Sequence, residues 1–201
     1  MNILTPHEAG LVIKGIFIYP TETLYAIGAN VENPQAIIRI QDLKGRPLGK
    51  PLPLVTSHEG QAREWFQLQD LSLEVAWAFW PGPLSILLRP RRHLPPGVCG
   101  PDGMACVRIP AHPLARALAS SVRAPVVSTS ANSSGNPAPA RVEDIEPAIK
   151  DHVDYVFTDP PFPYGGPPST IVAVVGDSLS VIREGAVSIA EIQAKGFCVM
   201  V

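Results

Sequence analysis

Charge is scarce in this chain. Only 17% of its 201 residues are charged, against 46% hydrophobic, and the formal net charge is −2. That balance excludes a disordered, self-repelling chain and provides no overall basic field for nucleic acid. Cysteine is nearly absent: Cys99, Cys106 and Cys198 form neither an even framework nor a C-x-x-C pair. This argues against a disulfide scaffold and against structural zinc. No uncharged apolar run approaches the ~20 residues that a membrane span needs. The N-terminus, MNILTPHEAG, lacks a charged segment leading into an apolar one, so no secretory signal is expected. The expectation is a cytoplasmic protein without a membrane partner. Also missing are G-x-x-x-x-G-K-[ST], G-x-G-x-x-G and G-x-S-x-G. Neither a P-loop, a dinucleotide fingerprint nor a nucleophile elbow is present.

What is there is patterned. Pro6 to Lys14 reads as a helix and Gly15 to Tyr19 as a strand closed by Pro20. Asn33-Pro34 caps a helix whose apolar side is Ile37, Ile38, Ile40 and Leu43. Further strands are expected at Leu52–Val55, Leu84–Leu88, Cys106–Ile109, Ala124–Val127 and Tyr155–Phe157. Helices are expected at Asp70–Trp80, His112–Val122, Val142–Lys150 and Ser188–Lys195. Thr170–Val175 and Leu179–Arg183 read as a hairpin around Gly176-Asp177. Strands alternating with helices predict an α/β fold, and the hairpin makes its sheet mixed. The 23 prolines fall between elements, and no linker divides residues 1–201 into two domains.

Three segments carry chemistry. Ser128-Thr129-Ser130-Ala131-Asn132-Ser133-Ser134-Gly135 follows a buried strand with small donors and acceptors, suiting a polar ligand at a sheet edge or an ordinary turn. Tyr19-Pro20-Thr21-Glu22-Thr23-Leu24-Tyr25 sets short polar groups beside an aromatic wall, which fits an amino acid or a base, and equally an exposed loop. Lys44-Gly45-Arg46-Pro47-Leu48-Gly49-Lys50 puts three cations in seven residues between glycines and prolines, as a phosphate clamp needs. A helix-end dipole alone accounts for Lys44 but not for Arg46 and Lys50. A second basic cluster, Arg89, Arg91, Arg92 and His93, reads as a solvated face or an RNA-facing patch. Trp65, Trp77 and Trp80 are expected in the core, and His112 at the turn beside Arg108.

Taken together, P-T-E-T-L-Y, K-x-R-P, W-P-G-P-L-S, V-R-I-P-x-H-P and S-T-S-A-N-x-S-G-x-P resemble the YrdC/TsaC family of threonylcarbamoyl-AMP synthases, in matching order over roughly residues 5–187. The resemblance implies an open twisted sheet flanked by helices around a deep basic cavity. It implies a nucleotidyltransferase that joins L-threonine, bicarbonate and ATP into threonylcarbamoyl-AMP and releases pyrophosphate, for the modification of tRNA adenosine 37. Lys44 and Arg46 match the family's catalytic K-x-R pair on the ATP phosphates, with Lys50 beside them. Ser130, Asn132 and Arg183 match its nucleotide contacts, and Thr23, Arg108, Ser128 and Ser169 its threonine contacts. No protein metal site is implied; Mg²⁺ would ride on ATP. Separate threonylcarbamoyl-transferase proteins would act downstream, with tRNA or RNA contact a further expectation. Ala26 departs from a usual glycine, and the chain ends at Val201 without the extra domain of the longer branch, which implies the short form. The rival implied by the same fold is a non-catalytic, RNA-binding or ribosome-associated protein of the YciO type. Carbamoyl transfer, as in larger hydrogenase-maturation proteins, is a third and remoter reading.

Overall fold

A computed structural model of the chain describes residues 5–45 and 51–200. The chain opens with α1 (Pro6–Lys14), started by a reciprocal cap. Thr5 Oγ1 accepts from Glu8 N at 3.2 Å, and Glu8 Oε2 accepts from Thr5 N at 2.7 Å. Then follow β1 (Ile16–Pro20), β2 (Tyr25–Ala29), α2 (Pro34–Leu43), β3 (Leu54–Val55), α3 (Glu59–Trp65), α4 (Asp70–Phe79), β4 (Leu84–Leu88) and β5 (Ala105–Arg108). The second half holds α5 (Pro113–Ser121), β6 (Val126–Val127), β7 (Thr129–Ser130), α6 (Pro147–Lys150), β8 (Tyr155–Val156), β9 (Thr170–Val175), β10 (Ser178–Arg183), α7 (Ile189–Ala194) and β11 (Val199–Met200).

The strands form two mixed sheets. The smaller has the order β7-β2-β1-β8, and the larger β11-β10-β9-β4-β5-β3-β6. In the larger, β9 and β10 form the expected antiparallel pair, while β4 runs parallel to β9 and β3 parallel to β5. β1 is buried on both faces, and its period of two divides the core. Ile16 and Ile18 join the main apolar cluster with α2, while Phe17 and Tyr19 pack with Val12, Leu114, Leu118 and Phe157.

Several local expectations change. The helix expected over Val142–Lys150 is a single 3₁₀ turn (Val142–Asp144) and then α6, because Pro147 cannot continue a preceding helix. Residues 25–29, not expected to be a strand, pair with β1 throughout. Trp77 is 62% exposed rather than core, its Nε1–H donating to Glu59 Oε2 at 3.0 Å.

The pairing of β1 with β2 has one steric condition. Gly28 lies opposite Phe17, and a Cβ added there would stand 2.6 Å from both Phe17 Cε2 and Tyr19 Cε1. Both rings are buried, so neither has room to retreat. Gly28→Ala is therefore expected to cost about 1–3 kcal/mol of stability. A lower urea midpoint at unchanged slope would register it, and an unchanged midpoint would refute this account of Gly28.

Candidate active site

The end of β1 is folded back by a single threonine. Thr21 Oγ1 donates to Leu24 O at 2.7 Å and accepts from Leu24 N at 3.3 Å, while Thr21 N also reaches Leu24 O. This turn is local Ser/Thr chemistry. It brings the Thr23 hydroxyl within 3.3 Å of the Thr21 hydroxyl, both buried.

Across the gap, β5 ends at Arg108, which is 6% exposed and ion-paired through Nη1 with Glu22 Oε1. Tyr19, next to this pair, donates its hydroxyl to Val127 O at 3.1 Å. Burial drives the Tyr19 phenol far above its ordinary range, so it remains a donor. His112, the cap residue of α5, is buried, with Nε2 2.7 Å from Pro161 O. The carbonyl can only accept, so Nε2 carries the proton.

The third wall is the serine-rich segment. β6 pairs with β3 in the larger sheet and β7 with β2 in the smaller, so Ser128 stands between sheets, its N–H donating to Pro53 O at 2.8 Å. Beyond it the chain turns around Lys44. Lys44 is 3% exposed, and its ammonium donates to Ser130 O, to Asn132 O at 2.5 Å and to Asn132 Oδ1 at 3.3 Å. Ser130 Oγ donates to Asn132 Oδ1 at 2.5 Å, and Ser134 N returns to Lys44 O at 3.2 Å. Lys44 itself closes α2, with Gly45 at φ +53 ending the turn. Farther along, Ser133 donates through N and Oγ to Glu146, and these bonds hold that carboxyl below its usual range.

The fourth wall comes from the start of β9 and the end of β10. Ser169 Oγ lies 3.2 Å from Ser85 Oγ, and Arg183 donates through Nη2 to Ser169 O at 2.6 Å. These walls enclose a cavity of about 150 Å³, lined by Thr23, Arg108, Ser128, Ser130, Ser169 and Arg183 among others. That is roughly the volume of five water molecules, the scale of an amino acid.

All four residues expected to hold threonine thus line one cavity, with Ser130 and Arg183 from the expected nucleotide set. Lys44 and Asn132 join it from behind, through Ser130. Arg46 and Lys50 lie outside the described residues. Sequence reasoning placed Tyr25 beside a pocket, as the lining bears out, but gave Glu22 no partner, since Arg108 is 86 residues away, and missed Pro53 and Pro168 in the lining. The second basic cluster lines no part of this cavity. Arg91 donates to Phe66 O, and Arg92 pairs with Glu64 and stands 4.6 Å over the Trp65 ring.

Comparison with known proteins bears on this arrangement. The Sua5_yciO_yrdC family model, described as telomere recombination, matches residues 11–185. A threonylcarbamoyl-AMP synthase of Xanthomonas oryzae pv. oryzae is 36% identical over 152 residues, covering 74% of this chain and 81% of that protein. The structure of P. abyssi Sua5 complexed with L-threonine superposes with a TM-score of 0.86 at 28% identity, over 96% of this chain. The chain spans 57% of that longer protein. E. coli YciO shares the fold at a TM-score of 0.76 and 23% identity, covering 90% of this chain and 88% of its own.

The buried imidazole yields a pH dependence. Burial lowers the His112 pKa below its ordinary value, against the raising influence of the Pro161 carbonyl and of Glu22. The unfolded chain, with a histidine pKa of about 6.5, then binds more protons than the folded one. Stability is complete above about pH 6.5 and declines as the pH falls toward the lower folded value. Urea midpoints between about pH 5 and 8 should show the decline, and His112→Gln, which still donates to Pro161 O, should flatten it. An identical slope in the variant would exclude His112 as the source.

Proposed function

The chain belongs to the Sua5/YciO/YrdC family, and from that premise we propose that it is an L-threonylcarbamoyladenylate synthase. The observation that carries this reading is the convergence of Thr23, Arg108, Ser128 and Ser169 on one amino-acid-sized cavity, with the Lys44-braced turn at its rim. Arg108 is suited to a substrate carboxylate, and the hydroxyls of Thr23, Ser128 and Ser169 to the remaining polar atoms. The neutral amine of threonine forms an N–C bond to the carbon of bicarbonate, a C–O bond of bicarbonate breaks, and water leaves to give the carbamate. The carbamate oxygen then attacks the α-phosphorus of ATP, the bond to the bridging oxygen breaks, and pyrophosphate leaves. Charge develops on phosphoryl oxygens, so the protein's task is positioning and electrostatic stabilisation, with no protein nucleophile.

In this scheme Lys44 and Arg46 serve the phosphates with Lys50, while Ser130, Asn132 and Arg183 hold the nucleotide. Mg²⁺ enters with ATP, as part of the substrate. Among the described residues no group of three or more His, Cys, Asp or Glu side chains is arranged for a metal. The adenylate would pass to separate transferase proteins acting on tRNA in the cytoplasm. No helix among the described residues is long and apolar enough to cross a membrane. Relatives at 36% identity carry the synthase name, whereas E. coli YciO, at 23%, shares the fold alone. That favours catalysis over the RNA-binding rival.

The test is a purified-protein reaction with ATP, Mg²⁺, bicarbonate and L-threonine, following pyrophosphate and the adenylate by mass spectrometry. Pyrophosphate requiring threonine and bicarbonate together is expected. Serine, lacking one methyl group, should be about 10- to 100-fold poorer in kcat/KM. Lys44→Met should lower kcat/KM for ATP at least about tenfold. A folded sample that binds ATP and forms no adenylate would move the assignment to the RNA-binding reading.

A further inference from the structure

The scheme above gives Glu22 no task. Its neighbours Thr21 and Thr23 line the cavity and Glu22 does not, yet its Oε1 pairs with Nη1 of Arg108, which does. Both partners are buried, and Glu22 Oε2 is buried without a donor. The segment from Pro161 to Gly165 is bonded to the backbone of this turn and to His112. Tyr164 N donates to Glu22 O at 3.0 Å, Gly165 N to Thr23 O at 2.9 Å, and Pro161 O receives the His112 proton. The other polar groups around the pair are the Tyr19 hydroxyl, given to Val127 O, and Arg183, given to Ser169.

A buried ion pair with a half-used carboxylate is a poor stability device, because an apolar pair of similar size often serves as well or better. What it fixes is direction. A guanidinium presents its donors in one rigid plane. With Nη1 tied to Glu22, the remaining N–H edge is the part of Arg108 that can serve the cavity.

We propose that Glu22 is a positioning residue for substrate recognition: it anchors one edge of Arg108 so that the other is held ready for the amino acid's carboxylate. The proposal rests on the threonine reading of this cavity. Two physical effects oppose each other here, and their sign separates them. Glu22 also reduces the positive potential of Arg108, so if charge alone mattered, its removal would tighten carboxylate binding. If alignment dominates, removal loosens it.

Glu22→Gln keeps the volume and one acceptor but gives up the ion pair, leaving the guanidinium a neutral amide oxygen in place of a carboxylate. The threonine Kd, measured by calorimetry without bicarbonate, is expected to rise about tenfold, the difference between an ionic and a neutral partner for the guanidinium. The threonine KM should rise by the same factor, with the change falling on KM rather than kcat and the KM for ATP unmoved. Unchanged or tighter threonine binding by the variant would overturn the proposal. Arg108→Met and the Arg108→Met/Glu22→Gln double variant complete the cycle, and the double variant, with neither charge buried, folds even if Glu22→Gln alone does not. The two should bind threonine equally weakly, within about twofold. A further loss in the double variant would show Glu22 acting independently of Arg108 and would also overturn the proposal. Wild-type protein that binds no threonine is a different failure: it removes the substrate reading, and the proposal with it.

Discussion

The cavity depends on one stretch of chain belonging to two sheets at once. From Val126 to Ser130 the backbone pairs first with β3 and then with β2, and Ser128 occupies the step between them. A strand leaving one sheet for another must give up its ladder partners for a residue or two, and those backbone groups need substitutes. Pro53 O supplies one, accepting from Ser128 N. Lys44 supplies others, drawing the Ser130 and Asn132 carbonyls onto one ammonium. The two motifs most suggestive of nucleotide chemistry are thus one mechanical unit. Small side chains at the step leave open the cavity beside it.

The scarcity of charge has a counterpart in where the charge goes. Lys44, Arg108 and Glu22 are all under a tenth exposed, and each is fixed by partners drawn from distant segments. Burial of ions is costly unless each is hydrogen-bonded, so such groups are rarely retained for stability alone. In a water-poor cavity wall, however, a fixed charge acts on a ligand without first reorganising solvent. A proline- and glycine-rich strap, Pro161 to Gly165, runs beside Glu22 and Thr23. Its own backbone donors are given to the carbonyls of the turn beside it.

Much of this was legible in the sequence, for local reasons. The capped helices α1 and α2 and the hairpin of β9 and β10 follow from Thr5, Asn33-Pro34 and Gly176, whose signals lie within a few residues. The elements that escaped notice lack such signals. α3 is capped by His58, whose Nδ1 accepts from Gln61 N at 3.1 Å, a use of histidine that residue type does not announce. β2 follows a polar turn so closely that its apolar run resembles the loop's end. Trp77 lies on a helix apolar on both faces, where periodicity cannot choose the inner one. The candidate threonine residues could be named, but only through family motifs. That they share a cavity, and that Arg108 is shared with Glu22, are long-range facts no local pattern encodes.

Core and site are also joined through Tyr19. Its ring stands with Phe17 over the space that Gly28 leaves open, so the packing of β1 on β2 sets its height. Its hydroxyl then holds Val127 O, one residue before the step at Ser128. An unpaired buried phenol is costly, and for Tyr19 the acceptor is the strand that forms the cavity wall. The missing side chain at position 28 therefore does more than relieve a clash. It lets an aromatic ring reach from the smaller sheet to the last residue of β6 and tie the two sheets at the point where they part.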